Sequence, residues 1–283
     1  MDRDTPPPIE ALLASEFPER LVSLSSGARV AWREAGDPRS SLAVVLLHGI
    51  SSGAASWLGV ARALHARVRV LAWDAPGYGG STPLRRPVPV DDDYSLVLEQ
   101  SLHALGVRHC LLVGHSLGAL TAAGFARRAP GVVQRLALIS PAGGYGAPDR
   151  AEQRDRVRRS RLAALAEKGI AGLAADIDRR LVSPAAPESV RRQVRWSTAR
   201  LTPQGYAQAV EFLCAGDLGR SVGALAMPVD VWVGEHDIVT PPDACAAWAS
   251  RLQGRCVTLA AAGHASPVEQ PDAVADGLAH LLS

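Results

Sequence analysis

The fold is decided by a seven-residue stretch, Val113-Gly114-His115-Ser116-Leu117-Gly118-Ala119. A short apolar run precedes it at 110–113, and a helix-like segment follows it at 120–129. A serine with a glycine two residues away on each side, between a strand and a helix, is the pattern of a nucleophile elbow. The turn is so sharp that the serine backbone is strained and its hydroxyl lies at the positive end of the helix. We therefore predict that Ser116 is a nucleophile.

Length and composition favour one large domain. The chain has 283 residues, of which 47% are hydrophobic, and this is enough to bury a sizeable core. The net charge of +2 gives no support to nucleic-acid binding, which usually requires a strongly basic face. The polar, proline-rich start is unlike a secretory signal, and no apolar run is long enough to cross a bilayer. We expect a cytoplasmic protein with neither nucleic-acid nor membrane partners.

The cysteines give no sign of a disulfide framework or a metal site. They are scattered and form no C-x-x-C pair, and we expect all four to be reduced, buried small hydrophobic residues. Metal binding is the weaker alternative, so we predict no metal site. The four are Cys110, Cys214, Cys245 and Cys256.

Strand-like and helix-like segments alternate along most of the chain. Alternating apolar and polar residues at 20–24 and 28–34 predict a hairpin. Continuous aliphatic runs predict strands buried on both faces. Alternating strands and helices indicate an α/β fold, with a mostly parallel sheet that is covered by helices on both faces. The predicted buried strands lie at 42–47, 68–73, 110–113, 136–139, 229–233 and 255–259.

The pattern changes between residues 142 and 223, which contain no aliphatic strand-like run. This stretch is rich in charge at 149–161 and looks helical, with breaks at its prolines. We interpret 142–223 as a helical cap inserted over the ends of the strands. The core domain then consists of 19–141 and 224–283, and residues 1–18 are expected to form a mobile arm.

Asp237 is the predicted acid of the site. Binding sites in open parallel sheets lie beyond the carboxyl ends of the strands, and Asp237 follows the strand at 229–233. A turn aspartate is the alternative interpretation, since aspartates are common after strands. Glu235 is a nearby competitor. Asp74 also ends a strand, but the glycines around it suggest that it organises a turn.

His264 is the predicted base. It follows the last strand, and an imidazole that titrates near neutrality can take the serine proton and return it to a leaving group. His48 is its rival because it also ends a strand. Its position before Gly49 suggests instead that it braces a loop by hydrogen bonding to the backbone. The chain order Ser116, Asp237, His264 is one known order of a catalytic triad.

Two backbone amides are predicted to form an oxyanion hole. Attack on a carbonyl creates a negative oxygen, which needs preorganised N–H donors. One donor is expected to be Leu117, directly after the nucleophile, and the other Ile50, in the loop after the strand at 42–47.

These motifs together resemble the α/β-hydrolase fold. The resemblance rests on five segments in the family's order, covers nearly the whole chain outside the insertion, and implies a mostly parallel sheet of about eight strands, a helical cap and a Ser–Asp–His triad without a cofactor. The segments are His48-Gly49, Asp74-Ala75-Pro76-Gly77-Tyr78-Gly79-Gly80-Ser81, Gly114-His115-Ser116-Leu117-Gly118, Gly234-Glu235-His236-Asp237 and Gly263-His264.

The residue at the elbow narrows the chemistry that the resemblance implies. Haloalkane dehalogenases and epoxide hydrolases of this fold use an aspartate there, so Ser116 disfavours both. Esterases, lactonases, carbon–carbon bond hydrolases and haloperoxidase-type esterases remain. Residues 201–207 and 216–218 are similar to 3-oxoadipate enol-lactonases. Such a lactone carries a carboxylate and would need a cation in the pocket; the cap offers Arg191, Arg195 and Arg200.

We therefore predict a serine hydrolase that acts on an ester or lactone of a small molecule. A carbon–carbon hydrolase of ring-cleavage products and a non-catalytic, hydrolase-like binding protein are the alternatives. In the cap, the arginines between 150 and 161 are expected to form a solvated helix face. Trp196, Tyr206 and Phe212 are expected either to line the pocket or to pack between the cap and the sheet.

Overall fold

The computed structural model describes residues 8–282, and its centre is one eight-stranded sheet. The strand order across the sheet is β1-β2-β4-β3-β5-β6-β7-β8. The first two strands pair antiparallel, β2 pairs antiparallel with β4, and all other pairs are parallel. The strands are β1 Glu19–Ser23, β2 Arg29–Ala35, β3 Leu42–Leu47, β4 Arg69–Trp73, β5 His109–His115, β6 Val133–Ile139, β7 Val229–Gly234 and β8 Arg255–Leu259.

Helices cover both faces of the sheet. Three short 3₁₀ helices, at Ala54–Trp57, Pro148–Arg150 and Leu218–Ser221, supplement the α-helices of the described chain. The α-helices are α1 Ile9–Glu16, α2 Leu58–Leu64, α3 Asp91–Ala104, α4 Gly118–Arg128, α5 Ala151–Ala175, α6 Asp178–Leu181, α7 Glu188–Ala199, α8 Pro203–Ala215, α9 Pro242–Arg251, α10 Ser266–Glu269 and α11 Pro271–Leu281.

The central strands are apolar on both sides because both sides are buried. In β3, Val45 and Leu47 pack into the core beneath α3 and α4, whereas Val44 and Leu46 pack into the core beneath α2 and α11. Side chains alternate between the faces of a strand, so a continuous aliphatic run supplies both cores. The predicted α/β fold, a mostly parallel sheet of eight strands with helices on both faces, is confirmed, as is the β1–β2 hairpin.

The expectation of a mobile N-terminal arm is wrong for the part of it that the structure describes. Residues 9–16 form α1, with Leu13 only 3% exposed and the following Phe17 fully buried. Glu16 pairs with Arg62 of α2, and Glu10 accepts a hydrogen bond from the Trp196 indole. Apolar burial therefore holds this segment against the domain, and residues 1–7 lie outside the described range.

The region between β6 and β7 contains α5 to α8 and forms the side of the molecule that faces the strand ends. Helix α5 is interrupted at Gly169, whose φ of 60° and ψ of −178° are not helical. Glycine tolerates this conformation at little steric cost, so the chain changes direction there. These helices lie within the expected cap, 142–223, and the division of the chain into a core and an inserted cap stays a prediction.

Three of the four cysteines fulfil the expectation of burial and one does not. Cys110, Cys214 and Cys245 are buried, but Cys256 is exposed because it lies on the edge strand β8. All four are free thiols, and burial raises the pKa of Cys110 to about 12. No helix within the described residues is long and apolar enough to span a membrane.

Candidate active site

Ser116 occupies a strained turn between β5 and α4. Its φ of 52° lies in the left-handed region, which is unusual for a residue other than glycine. The tight turn also explains its two glycines. A Cβ on Gly114 would lie 2.7 Å from the Ala119 Cα, and one on Gly118 would lie 2.5 Å from the Leu47 carbonyl oxygen. The predicted elbow geometry is therefore present, and strain of this kind is typical of functional sites.

The structure brings the three predicted site residues together in one hydrogen-bonded chain. Ser116 Oγ lies 2.9 Å from His264 Nε2, and His264 Nδ1 lies 2.8 Å from Asp237 Oδ2. All three residues are buried. Because Asp237 can only accept at this oxygen when ionised, Nδ1 carries the imidazole proton. The lone pair of Nε2 then faces the serine hydroxyl, as a general base requires.

The carboxylate of Asp237 is fully hydrogen-bonded. Its Oδ1 accepts from the backbone amides of Val239 and Thr240, at 2.8 and 2.9 Å. Its Oδ2 accepts from the Thr240 hydroxyl at 2.9 Å as well as from His264. Burial by itself would raise the pKa of Asp237, but the hydrogen bond and charge of His264, together with the Thr240 amide, outweigh it and lower the pKa to about 2. Asp237 is therefore ionised at neutral pH.

Hydrogen bonds hold the loop that carries His264 in place. His115 donates from Nε2 to the His264 carbonyl oxygen at 2.8 Å. The Glu269 carboxylate accepts from the Gly263 amide at 2.8 Å and from the Ser183 amide at 2.7 Å. These bonds join the histidine loop both to the elbow and to the cap, so the imidazole is held in position before any substrate binds.

The three rival residues occupy structural positions. Nε2 of His48 accepts from the Ala75 amide at 3.0 Å and its Nδ1 donates to the Gly49 carbonyl at 2.8 Å, which agrees with the expected bracing role. The Asp74 carboxylate accepts from the Ala54 amide at 2.8 Å, and its backbone carbonyl accepts from the Ser81 hydroxyl at 2.6 Å across the glycine-rich turn. Glu235 is exposed and accepts from the Ala261 amide at 3.0 Å, away from the imidazole.

The predicted oxyanion donors, Ile50 and Leu117, both line the cavity with Ser116. Within the described chain, neither backbone N–H donates to another protein group. Ile50 is 8% exposed and Leu117 is 7% exposed. Two unpaired, nearly buried donors beside a nucleophile suit a developing negative oxygen.

A cavity of about 520 Å³ opens over Ser116, between the strand ends and the cap. The three cap aromatics behave differently. Tyr206 lines this cavity, and Phe212 packs against Tyr94 at 4.4 Å between ring centres. Trp196 does not line it; it packs, half-buried, against the core beneath α2 and α11, and its indole N–H bonds to Glu10 at 2.7 Å. No group of three or more potential metal-ligating side chains was found among residues 8–282.

The cap arginines named from the sequence lie outside this cavity. Arg191 and Arg195 both pair with Asp178, at 3.5 and 2.9 Å. Arg200 lies over the Trp196 ring, 4.8 Å from its centre. The predicted cation in the pocket is therefore not one of these three.

Three other arginines line the cavity: Arg150, Arg161 and Arg180. The expectation that the arginines between 150 and 161 only form a solvated face is wrong for the first two. A signal was available for Arg161, because Val157, Arg161 and Leu165 are spaced four residues apart and share one helix face. That face packs against α8, and Arg161 donates to the Tyr206 hydroxyl at 3.3 Å.

Comparison with known families identifies the fold family. The model of the alpha/beta hydrolase fold family matches residues 43–271, which is most of the chain. The chain belongs to the α/β-hydrolase family. The match includes every predicted site residue of this α/β-hydrolase, from Ile50 to His264.

Relatives of this α/β-hydrolase differ in their named activities and in the fraction of their length that this chain covers. An uncharacterised protein of Mycobacterium tuberculosis is 38% identical over 117 residues, 41% of this chain and 33% of the relative. A 2-hydroxy-6-oxononadienedioate/2-hydroxy-6-oxononatrienedioate hydrolase of Paraburkholderia phymatum is 35% identical over 124 residues, 42% of each chain. The chain thus spans less than half the length of these two. A pimeloyl-[acyl-carrier protein] methyl ester esterase of Aeromonas hydrophila is 28% identical over 84% of this chain and 94% of the relative.

Solved structures agree on the fold. A thermophilic esterase from Thermogutta terrifontis has a TM-score of 0.81 at 24% identity, covering 94% of this chain and 98% of that one. An enol-lactonase from Burkholderia xenovorans has a TM-score of 0.81 at 23% identity, covering 93% and 99%. At these identities the likeness establishes the fold alone.

Proposed function

We propose that this α/β-hydrolase cleaves a carboxylic ester or lactone of a small molecule through an acyl-enzyme. The observation that carries the proposal is the hydrogen-bonded chain from Ser116 through His264 to Asp237, which opens on the cavity. A serine hydroxyl is a weak nucleophile unless an oriented base takes its proton. His264, held by an ionised Asp237, meets that requirement.

In the first half of the reaction, Ser116 Oγ attacks the carbonyl carbon as its proton passes to His264 Nε2. The negative oxygen of the tetrahedral intermediate accepts from the amides of Ile50 and Leu117, and each such donor is worth about 3 kcal/mol of barrier. Asp237 stabilises the imidazolium without taking its proton. The carbon–oxygen bond then breaks, and His264 returns the proton to the leaving alkoxide.

In the second half, water takes the place of the departed alcohol and attacks the carbonyl carbon of the acyl-enzyme. His264 removes a proton from the water, the acyl–Ser116 bond breaks, and the same proton restores the serine hydroxyl. With a lactone, the alcohol released in the first half remains attached to the acyl group, so the final product is one hydroxy acid. Neither half requires a cofactor.

Replacement of the nucleophile tests the proposal. Ser116→Ala is expected to lower kcat on 4-nitrophenyl butyrate by roughly 10⁴–10⁶-fold, because the covalent step is removed. Ser250→Ala changes a surface serine in α9 and serves as the control, and circular dichroism verifies that both variants are folded. Turnover by Ser116→Ala close to that of the wild type would disprove the assignment.

A carbon–carbon hydrolase of ring-cleavage products is the second candidate. The similarity to the Paraburkholderia phymatum hydrolase favours it. Activity on a vinylogous diketone acid far above that on any ester or lactone would support this alternative. A non-catalytic binding protein is the third, and failure of Ser116 to react with a fluorophosphonate probe would favour it.

A further inference from the structure

Apart from histidines, the charged side chains that line the cavity are all arginines. They are Arg150, Arg161 and Arg180, and no aspartate or glutamate among the described residues lines it. Arg161 is half-buried, whereas Arg150 and Arg180 are exposed, which puts the positive charge toward the opening. Ser116 lies at the buried end of the same cavity.

Two buried acidic side chains of the surrounding helices, Glu211 and Asp178, are already paired with other arginines. Glu211 of α8 pairs with Arg158 at 2.7 Å. Asp178, on the same short helix as Arg180, turns toward α7 and pairs with Arg195 at 2.9 Å. Among the described residues, neither Arg161 nor Arg180 has an ion-pair partner.

Arg161 and Arg180 are close enough to repel one another. Loss of hydration lowers the pKa of Arg180, and the positive charge of Arg161 lowers it further. An arginine stays protonated in a protein nonetheless, so both guanidinium groups keep their charge. A negative group between them would offset that repulsion and gain charge-assisted hydrogen bonds.

Apolar side chains, which include Leu173, Ile177 and Leu181, line the cavity together with polar ones, which include Gln153 and Ser160. A substrate that reaches both the nucleophile and the arginines therefore needs a reactive carbonyl at one end and an anionic group at the other. The planar fork of a guanidinium matches a carboxylate in particular, because both oxygens can accept at once.

We propose that the substrate is an ester or lactone that carries a carboxylate at the end distant from the reacting carbonyl, and that Arg161 and Arg180 bind this carboxylate. The proposal rests on the proposed hydrolase function and names its substrate class. Arg150 adds a third positive charge on the same side of the cavity.

Two esters that differ in one charge test the proposal. Mono-4-nitrophenyl adipate has a free carboxylate, and 4-nitrophenyl methyl adipate has the same chain with that carboxylate masked. For the wild type we expect kcat/KM to be at least about tenfold higher for the charged ester, since a charge-assisted hydrogen bond contributes about 1.5–3 kcal/mol. The preference should shrink as salt is raised, because exposed charges are screened.

Paired substitutions identify the residues responsible. Arg161→Gln with Arg180→Gln should lower the ratio of kcat/KM for the charged over the neutral ester by about tenfold or more. The control is Arg179→Gln, which removes one positive charge from α6, the helix that carries Arg180. Arg179 is 80% exposed, pairs with Asp176 and does not line the cavity, so its ratio should stay at the wild-type value.

Failure of this inference can be distinguished from failure of the proposed function. Equal cleavage of both esters by the wild type, or an unchanged ratio in the double variant, overturns the carboxylate assignment and leaves the hydrolase intact. If neither ester is cleaved and Ser116 does not react with a fluorophosphonate, both proposals fall. Thermal unfolding of each variant verifies that a changed ratio does not reflect a loss of folded protein.

Discussion

The cavity has two walls that hold their polar groups in different ways. The core wall consists of Ser116 and His264 with the amides of Ile50 and Leu117, and is backed by Asp237; the cap wall consists of Arg150, Arg161, Arg180 and Tyr206. On the core wall, the carboxylate of Asp237 accepts four hydrogen bonds. On the cap wall, the Arg161 guanidinium donates one, to the Tyr206 hydroxyl. The Arg180 side chain has no hydrogen bond or ion pair within the described residues.

This difference separates what the two walls can do. Groups that are fixed before the substrate arrives stabilise a transition state at little reorganisation cost, so the core wall suits the chemical step. Long arginine side chains with few contacts adjust to the position of a ligand, so the cap wall suits selection of the substrate. Glu269 joins the walls, because its carboxylate accepts from the Gly263 amide of the core wall's histidine loop and from the Ser183 amide of the cap.

The strongest test of a fixed core wall is Asp237→Asn. The amides of Val239 and Thr240 need an acceptor, so the oxygen of the new amide will stay on them and its NH₂ will face His264 Nδ1. That arrangement forces the imidazole proton onto Nε2, which can then no longer accept from Ser116. We expect kcat on 4-nitrophenyl butyrate to fall by about 10³–10⁴-fold.

A matched control is available two residues away. Glu235→Gln changes an exposed carboxylate on the same loop that bonds to the Ala261 amide and not to the imidazole. Its kcat should stay within about twofold of the wild type, as is usual for a surface substitution. A fall of less than tenfold in Asp237→Asn, or an equal fall in Glu235→Gln, would refute the idea that Asp237 sets the imidazole tautomer.

The core wall was largely predictable from the sequence because local signals determine it. Ser116, Asp237 and His264 each follow an aliphatic strand, and chain order alone related them. The glycines at 114 and 118 also have a local cause, since any side chain there would meet backbone or Cβ atoms less than 3 Å away. The strand pattern is likewise local, because a sheet buried on both faces requires continuous apolar runs.

The cap wall was not predictable in the same way, because it depends on which way long side chains point. Arg191 and Arg161 are both arginines on cap helices, yet one pairs with Asp178 and the other faces the cavity. Their different surroundings arise from the packing of α5 and α7, which composition does not encode. Helix α1 was missed for a related reason, since it is short and contacts outside the helix hold it, including the pair of Glu16 with Arg62.

A second, smaller test of the core wall concerns the Thr240 hydroxyl. It donates to Asp237 Oδ2 at 2.9 Å and lies 3.3 Å from His264 Nδ1. Thr240→Val keeps the shape of the side chain and removes this donor. A hydrogen bond to a charged group is worth about 1.5–3 kcal/mol, so kcat should fall by about tenfold or more.

The control for this effect is Thr240→Ser, which restores the hydroxyl without the methyl group. It should recover most of the wild-type kcat. If the side chain had only a structural role, the kcat of Thr240→Ser would be no higher than that of Thr240→Val. Recovery by Thr240→Ser, measured at several pH values on the same ester, would therefore assign the effect to the donor. Full activity of Thr240→Val would contradict the idea that the Thr240 hydroxyl helps to position Asp237 for the reaction.

The smallest expected effect is a loss of folding stability at acidic pH, which we expect to arise in the core wall and not in the cap wall. His115 fixes the His264 carbonyl, and burial lowers the pKa of His115 from 6.5 to about 3, helped by the neighbouring His264. As pH falls below 6.5, the unfolded chain binds a proton at this position while the folded protein does not, so stability is lost. Between pH 7.5 and 5 this histidine should account for about 2 kcal/mol. The cap arginines keep their charge over that range.

His115→Gln removes the titrating group but leaves an amide N–H that can donate to the same carbonyl. Urea unfolding at pH 7.5 and 5 should therefore show a wild type that loses about 2 kcal/mol more than the variant. Arg161→Gln alters only the cap wall, so it should lose the same stability as the wild type on acidification. Equal losses in the wild type and His115→Gln would mean that His115 titrates normally in the folded protein. The core wall would then be less enclosed than its hydrogen bonds indicate.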